Sequence, residues 1–527
     1  MATDFDAVVI GSGFGGAVSA LRLAEAGYRV LVLERGRRWH RLEYPSVTRS
    51  NWLWDENHPE RTNGWLDIRN HGNISTVAGA GVGGGSLHFA NVVIDALEDF
   101  FRAGWPPEIN FQVLEPYYQR VSEVLHPRRI PSNQFSNRTK LLREAALLAG
   151  FGSQYDEVDL NIKFDENYAY DASREPRAED SVMKPNADGI DQGFCVHLGQ
   201  CELGCPVEAR NTLALNYIPR AEKHGAEVRP LHIVRNIEPI AGGYRVHYDR
   251  IAQAKLNPDA VTARVVVVSG GSIGSTELLL RCQKQHKSLP NLGNMLGGKW
   301  CTNANYLSPA FHAGRKVYPS RGPTITAGIR FFGDNNYKGS RFMIEDGGVP
   351  DLLFQYRENL KNPSGGAQKF ADALKALYKG LNQEPFETLM PWFAQGRDEP
   401  VGKFKVEREG LFGWWGDYKL RLSWSRSGAR KVLDGIQEVH RTLAQKTGGR
   451  IILQLPDAAI TPHPLGGCPI GSTPADGVVN HFGETFAYKN LYVADGSIMP
   501  APVGHNPSKT IAALSERIVE SIVQESR

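Results

Sequence analysis

Gly11-Ser12-Gly13-Phe14-Gly15-Gly16 lies between an apolar run and an amphipathic one, and no other stretch constrains the chain so tightly. Ala7-Val8-Val9-Ile10 is β-branched and reads as a strand, while Ala17, Ala20, Leu21, Leu23 and Ala24 share one side of a helix. Arg29 to Leu33 reads as a second strand, and it ends at Glu34. The result is a βαβ unit carrying G-x-G-x-x-G with an acid after its second strand. Gly11 serves the tight turn, Gly13 lets the backbone approach a pyrophosphate, and Gly16 lets helix and strand pack closely. The helix N-terminus offers free N–H groups and a positive dipole end. Glu34 can accept hydrogen bonds from a ribose diol. A glycine-rich turn alone would be weak evidence. Strand, helix and acid together specify a dinucleotide site in a Rossmann-like α/β domain, and leave FAD or NAD undecided.

A chain of 527 residues is long enough for two or more domains, each with a core. Hydrophobic content of 41% and charged content of 22% are those of an ordinary globular protein. The 60 basic and 57 acidic side chains nearly cancel, and no basic tract is interleaved with aromatics, so nucleic-acid binding is not expected. Met1–Asp6 lacks a basic, apolar leader, and no stretch approaches the roughly 18–20 apolar residues of a membrane helix. The expectation is a cytoplasmic protein, in which six cysteines are no obvious disulfide framework.

Beyond Glu34 the chain reads as loop, rich in Trp, Asn and His, up to about Asn73. Between Gly79 and Gly85 five of seven residues are glycine, which no helix interior tolerates. Low complexity is the bland explanation; close backbone approach to a large flat ligand is the functional one, and the one favoured. Helical stretches are expected at Val113–Val124 and Thr139–Ala149, and a further helix after Cys205. Strands are expected at Glu227–Ile237, Gly243–Asp249 and Val261–Ser269. The last is Val-rich, suits burial on both faces, and runs into Gly270–Ser275 and a helix at Thr276–Arg281. Residues 305–450 are aromatic-rich (Phe331, Phe332, Phe354, Tyr356, Trp392, Phe393, Phe412, Trp414, Trp415, Trp424), with a helical pattern from Gln368 to Leu381. They read as an inserted domain with an apolar, substrate-facing surface, most of the aromatics being core and some a lid. The C-terminal part holds His463-Pro-Leu-Gly-Gly-Cys468, Asn490-Leu-Tyr-Val-Ala-Asp-Gly496, Val503-Gly-His-Asn-Pro507 and a last helix, Lys509 to about Gln524.

These motifs together resemble the glucose–methanol–choline (GMC) flavin oxidoreductases, and within them the cholesterol-oxidase-like branch. The resemblance covers roughly half the chain, from the first glycine motif to the His463–Cys468 and Asn490–Gly496 segments. It implies a discontinuous FAD domain (residues 1–110, 190–305 and 455–527) interrupted by an α+β substrate-binding cap (111–189 and 306–454). It further implies FAD bound through Gly11, Gly13, Phe14, Gly15, Gly16, Glu34 and Arg35, through Gly81, Gly84, Gly85, Ser86, His88 and Asn91, and through Val234, Asp495, Gly496, Asn506 and Pro507. Family members set a histidine beside a second His or an Asn at the flavin N5. His463 matches the first position and Asn506 the second, with His505, just before Asn506, as a further catalytic candidate. A neutral histidine can take a hydroxyl proton near pH 7 while hydride leaves the carbon, and an Asn amide can hold the oxygen.

Two departures sharpen the expectation. His88 has the spacing at which choline and pyranose oxidases attach FAD covalently, the alternative being a residue over the flavin ring. Cys195-x5-Cys201-x3-Cys205 resembles the spacing of dehydrogenase subunits with a three-iron cluster, although related sequences carry such segments without one. The isomerising carboxylate of cholesterol oxidases cannot be placed by motif. Glu345 and Asp346 are its candidates in the insert, and surface carboxylates are the favoured reading for both. The expected reaction is oxidation of an alcohol, bulky and apolar or sterol-like, with oxygen or another acceptor. Oxidation of a sugar or glycoside, and non-redox lyase or isomerase chemistry, are the alternatives.

Overall fold

The computed structural model describes residues 3–43, 52–102, 104–350, 386–409, 416–451 and 459–525. Phe354, Tyr356, Phe412, Trp414, Trp415 and the expected helix at 368–381 lie outside them.

The first strand, Phe5–Ile10, is central because its Ala-Val-Val-Ile run is apolar on both faces. It pairs in parallel with Val30–Leu33 on one side and with the end of Lys255–Val268 on the other. Glu227–Arg229 extends the sheet beyond Val30–Leu33, again in parallel. Val265–Val268 are at most 2% exposed, as a Val-rich strand sandwiched between layers should be. Leu491–Val493 pairs with them in parallel, bringing the C-terminal motif to the same sheet edge as the first glycine turn. Helices Phe14–Glu25 and Ser508–Glu525 pack on each other over this sheet. Their small residues Gly15, Ala17, Ala512, Ala513 and Ser515 are buried, which lets the two axes come close.

The expected strand Glu227–Ile237 is two strands, Glu227–Arg229 and His232–Ile240, because Leu231 turns the backbone through positive φ. The last two extend to Gly243–Ala252 and Lys255–Val268, a hairpin closed by Gln253 and Ala254. The stretch before Asn73 is not all loop: Leu66–Asn70 pairs with Ile74–Gly79. Its polar Asp67 is buried by ion pairing with Arg35 and Arg69, which hides the strand in a hydropathy pattern.

A second, six-stranded antiparallel sheet runs Arg450–Ile451, Tyr306–Phe311, Leu389–Gly396, Phe342–Glu345, Ala327–Phe331, Tyr155–Glu157. Helices Arg430–Lys446 and Asn137–Leu148 cover one face of it. The other face turns toward the cavity described next: Leu307 and Phe393 sit directly opposite each other and both line it.

Candidate active site

A cavity of about 730 Å³ runs between the two sheets, bounded by the glycine turn, Gly84–Gly85, His88, Gly270–Ser275, His463 and Asp495–Gly496. Its dinucleotide end follows from backbone geometry. A side chain at Gly13 would meet nothing closer than 3.8 Å, so that position opens into the cavity. Helix Phe14–Glu25 has no side-chain cap, leaving its first N–H groups for a ligand. Gly84, at positive φ, lies so close to Gly13 that a Cβ there would fall 2.5 Å from the Gly13 Cα. The glycine run therefore exists to lie against the first turn. Glu34 is buried at the cavity edge, its Oε2 accepting from Ser12 N at 3.0 Å and Ser12 Oγ at 2.7 Å, its Oε1 from Gly36 N at 2.9 Å. Oε1, with a single donor, retains a lone pair for a ribose hydroxyl. Arg35 and Val234 also line the cavity, with Arg35 tied to Asp67 Oδ2 at 2.7 Å. Asp495 Oδ2 accepts from Gly271 N at 2.8 Å and from Ser275 Oγ, and Oδ1 from Ser497 N at 2.8 Å, so it ties the Gly270–Ser275 junction to its own turn. A cradle open at Gly13, an uncapped helix and an acid at the second strand fit an FAD adenosine diphosphate.

Four residues expected at the cofactor stand behind the wall. Gly16 packs on the Gly11 carbonyl, where a Cβ would come within 2.0 Å. Gly81 is wedged against Arg37 O, Leu87 and Trp39. Ser86 Oγ donates to Gly83 O at 2.7 Å and accepts from Leu213 N at 3.1 Å. Asn91 is fully buried at positive φ, with neither amide atom hydrogen-bonded.

At the other end His88, His463, Asn506 and Pro507 line the cavity together. His463 follows Thr461, whose Oγ accepts its backbone N–H at 3.0 Å, and its Nδ1 lies 3.0 Å from Asn305 Nδ2. Burial holds the His463 imidazole down at about 3 and His88 at about 4; the adjacent His88 ring lowers His463 further, and the Arg210 guanidinium lowers His88. Both rings are therefore neutral at pH 7, the form a proton acceptor needs. Asn506 is 4% exposed and its Oδ1 has no hydrogen-bond partner.

His505 is a correction. It does not line the cavity; its Nδ1 faces the Asn506 carbonyl at 3.1 Å and its Nε2 is buried without a partner. Asn303 clamps this turn, accepting from Gly504 N at 2.7 Å and donating to His505 O at 2.9 Å. The carboxylates Glu345 and Asp346 are a second correction, since both are fully buried. Glu345 pairs across strands with Phe393 and so shares the cavity-facing side of the sheet, its Oε2 accepting from Gln395 at 2.8 Å. Burial pushes Glu345 up to about 8. Asp346 is committed to structure, accepting from the N–H groups of Thr326 and Ala327. Cys195, Cys201 and Cys205 are buried free thiols, and no group of three or more His, Cys, Asp or Glu among the described residues could hold a metal ion. Burial and neighbouring thiols push Cys195 and Cys201 upward, away from the thiolate that a cluster needs.

Sequence reasoning missed Asn305 and Glu202. Glu202 lines the cavity next to the three-cysteine loop, its carboxyl pushed up to about 7 by burial against the pull of Arg138 and Arg210. Its place inside the cysteine motif was visible; its exposure to the cavity was not.

A Rossmann-like dinucleotide cradle that opens onto a buried His–Asn wall defines a flavin-dependent oxidoreductase of the GMC class. The GMC oxidoreductase family profile matches residues 419–515, and that of an NAD(P)-binding Rossmann-like domain matches residues 9–39. A cholesterol oxidase of Acinetobacter baumannii is 30% identical over 98% of this chain and 94% of its own length. A 2-methyl-1,2-propanediol dehydrogenase of Mycolicibacterium austroafricanum is 24% identical over 97% and 94%. Pyridoxine 4-oxidase from Mesorbium loti shares the fold at a TM-score of 0.64 and 16% identity, covering 98% of both chains. The chain belongs to the GMC oxidoreductases, in their cholesterol-oxidase-like branch. It is an FAD-dependent enzyme of alcohol oxidation. Among the described residues no helix is long and apolar enough to cross a membrane.

Proposed function

We propose that the chain oxidises a bulky, largely apolar secondary or primary alcohol, with His463 as base and Asn506 as anchor of the substrate oxygen. The observation that carries this is the meeting of His463 and Asn506, distant in sequence, on the wall of the cavity that begins at the glycine turn. FAD, when bound, supplies the hydride acceptor at N5, and oxygen is the acceptor that regenerates it. The chain's own residues do the rest. His463, neutral because it is buried, takes the hydroxyl proton. Asn506 donates from its amide to the alkoxide oxygen as charge develops. Leu307, Ile325, Val349 and Phe393 give the cap side of the cavity an apolar wall, which keeps water from the reacting carbon. The likeness to cholesterol oxidases supports a sterol-sized alcohol.

Anaerobic mixing with sterols and with sugars tests the reading, flavin bleaching by sterols alone being expected. His463→Gln should keep its FAD and lose about 10²–10⁴-fold in kcat. Full kcat in that variant would sink the assignment. A covalent His88–flavin bond is the second reading, favoured by a neutral imidazole in the cavity wall directly after the glycine run. Flavin leaving quantitatively on acid precipitation excludes it; colour retained in the pellet of wild type and lost in His88→Ala establishes it.

A further inference from the structure

A histidine can serve as base through one nitrogen only if its proton sits on the other. His463 Nδ1 faces the Asn305 side-chain amide, placed with Nδ2 at 3.0 Å. So placed, Asn305 donates to Nδ1, the neutral ring must carry its proton on Nε2, and that nitrogen becomes a donor rather than a base. The opposite end of the same amide reverses the outcome. Amide N and O are nearly the same size, and the surrounding hydrogens decide which way the group points.

Here they can be counted. The far end of the Asn305 amide lies 2.8 Å from Thr461 Oγ, which is also 2.7 Å from the Thr302 carbonyl oxygen. Thr461 Oγ already accepts from the His463 backbone N–H at 3.0 Å. A hydroxyl has one hydrogen to give. The Thr302 carbonyl can only accept, and Asp398 fixes that residue by accepting from its N–H at 2.9 Å and its Oγ at 2.8 Å. With an amide oxygen toward Thr461, two acceptors would compete for one hydrogen at a residue with 0% exposure. With the amide nitrogen there, every group is satisfied: Asn305 Nδ2 donates to Thr461 Oγ, and Thr461 donates to Thr302 O. The Asn305 carbonyl oxygen then faces His463 and accepts from Nδ1–H. A buried unsatisfied acceptor costs about 1–3 kcal/mol, enough to set the orientation.

We propose that Thr461 and Asn305 form a tautomer lock, positioning residues that hold the His463 proton on Nδ1 and leave Nε2 free for the substrate hydroxyl. This rests on His463 being the base, and adds the hydrogen-bond chain Thr302–Thr461–Asn305–His463 that makes it one. Asn303 and Ala304, both at positive φ, turn the chain so that Asn305 reaches the imidazole.

The test is an imidazole ¹⁵N–¹H correlation spectrum of the FAD-loaded protein with labelled histidine, His463 being identified by its loss in His463→Gln. The expected wild-type signature is the Nδ1–H tautomer. Thr461→Val should shift it toward Nε2–H and lower kcat about ten- to a hundredfold, with KM and FAD content little changed. An aspartate has two accepting ends, so adding Asn305→Asp to Thr461→Val should restore the Nδ1–H signature. An Nε2–H ring in wild type, once His463 is assigned, overturns the proposal. So does an unchanged tautomer and kcat in folded Thr461→Val. Loss of activity in His463→Gln alongside either result would leave the base assignment standing; full activity there would remove it whatever the tautomer.

Discussion

Several side chains that line the cavity were readable one by one, and side chains that only hold others were not. His463, Asn506 and Glu34 lie in short motifs whose chemistry admits few alternatives, and all three line the cavity. Arg138 gave no such signal. It opens a helix like any solvated arginine, yet it is fully buried and donates to the carbonyls of Arg321, Pro323 and Thr324 as well as that of Asp346. Its guanidinium also lies 3.6 Å from the buried Asp346 carboxylate. Those partners are almost two hundred residues away, and only folding brings them together. They form the strip carrying Thr324 and Ile325 into the cavity wall. Arg138→Met should therefore cost about 3–5 kcal/mol, because it strands a buried carboxylate and several carbonyls. Denaturant unfolding measures this; a loss below about 1 kcal/mol would show the cluster to be solvated. Asn305 and Thr461 escaped notice for the same reason, being ordinary polar residues until their hydrogens are counted.

Elements with one dominant pattern were legible, and elements stabilised by ion pairs were not. The Val265–Val268 strand, the first helix and the terminal helix were each announced by apolar spacing. Leu66–Asn70 was missed because its alternation is filled by Asp67 and Arg69, whose charges are neutralised by Arg35, Glu56 and Glu277. The glycine motif shows how position within an element separates folding from binding. A Cβ at Gly15 would fall 1.6 Å from the Ala494 carbonyl oxygen, so Gly15→Ala must push the first helix off the C-terminal strand turn. At Gly13 the nearest atom would be 3.8 Å away, and only the dinucleotide is met. Gly13→Ala should give folded protein with little bound flavin. Gly15→Ala should give poorly folded protein with a clearly lowered thermal midpoint. Flavin absorbance against the 280 nm band, read beside circular dichroism, distinguishes the two. Normal flavin content in Gly13→Ala would remove that residue from the cofactor site.

Across the whole molecule, the packed interior buries titratable groups of both kinds, and their opposed shifts shape stability against pH. His197 and His440, fully buried away from the cavity, are held at about 3 by desolvation. Below about pH 6.5 the unfolded chain protonates these rings and the folded chain does not. The unfolded state then binds more protons, and stability falls as pH drops from about 6.5 toward 3. The buried carboxyls act in the other direction. Desolvation raises Asp398 to about 6, Glu202 to about 7 and Glu345 to about 8. An unfolded carboxyl releases its proton above about pH 4.5, whereas these keep theirs, so each withdraws stability as pH climbs from 4.5 to its own folded value. Between 4.5 and 6.5 the neutral histidines outnumber them, since His71, His88, His312, His463 and His505 are also held at about 3 or 4. Above 6.5 the histidine contribution is exhausted and the carboxyls alone act. The thermal midpoint should therefore crest near pH 6.5 and decline on both sides. Glu345→Gln keeps the Gln395 contact in altered form and removes the group that titrates highest. It should flatten the decline between pH 7 and 8 and leave the acid limb in place. A midpoint still falling as steeply over that interval in Glu345→Gln would mean that Glu345 is ionised in the folded protein, and its carboxylate would then be available as a base at neutral pH.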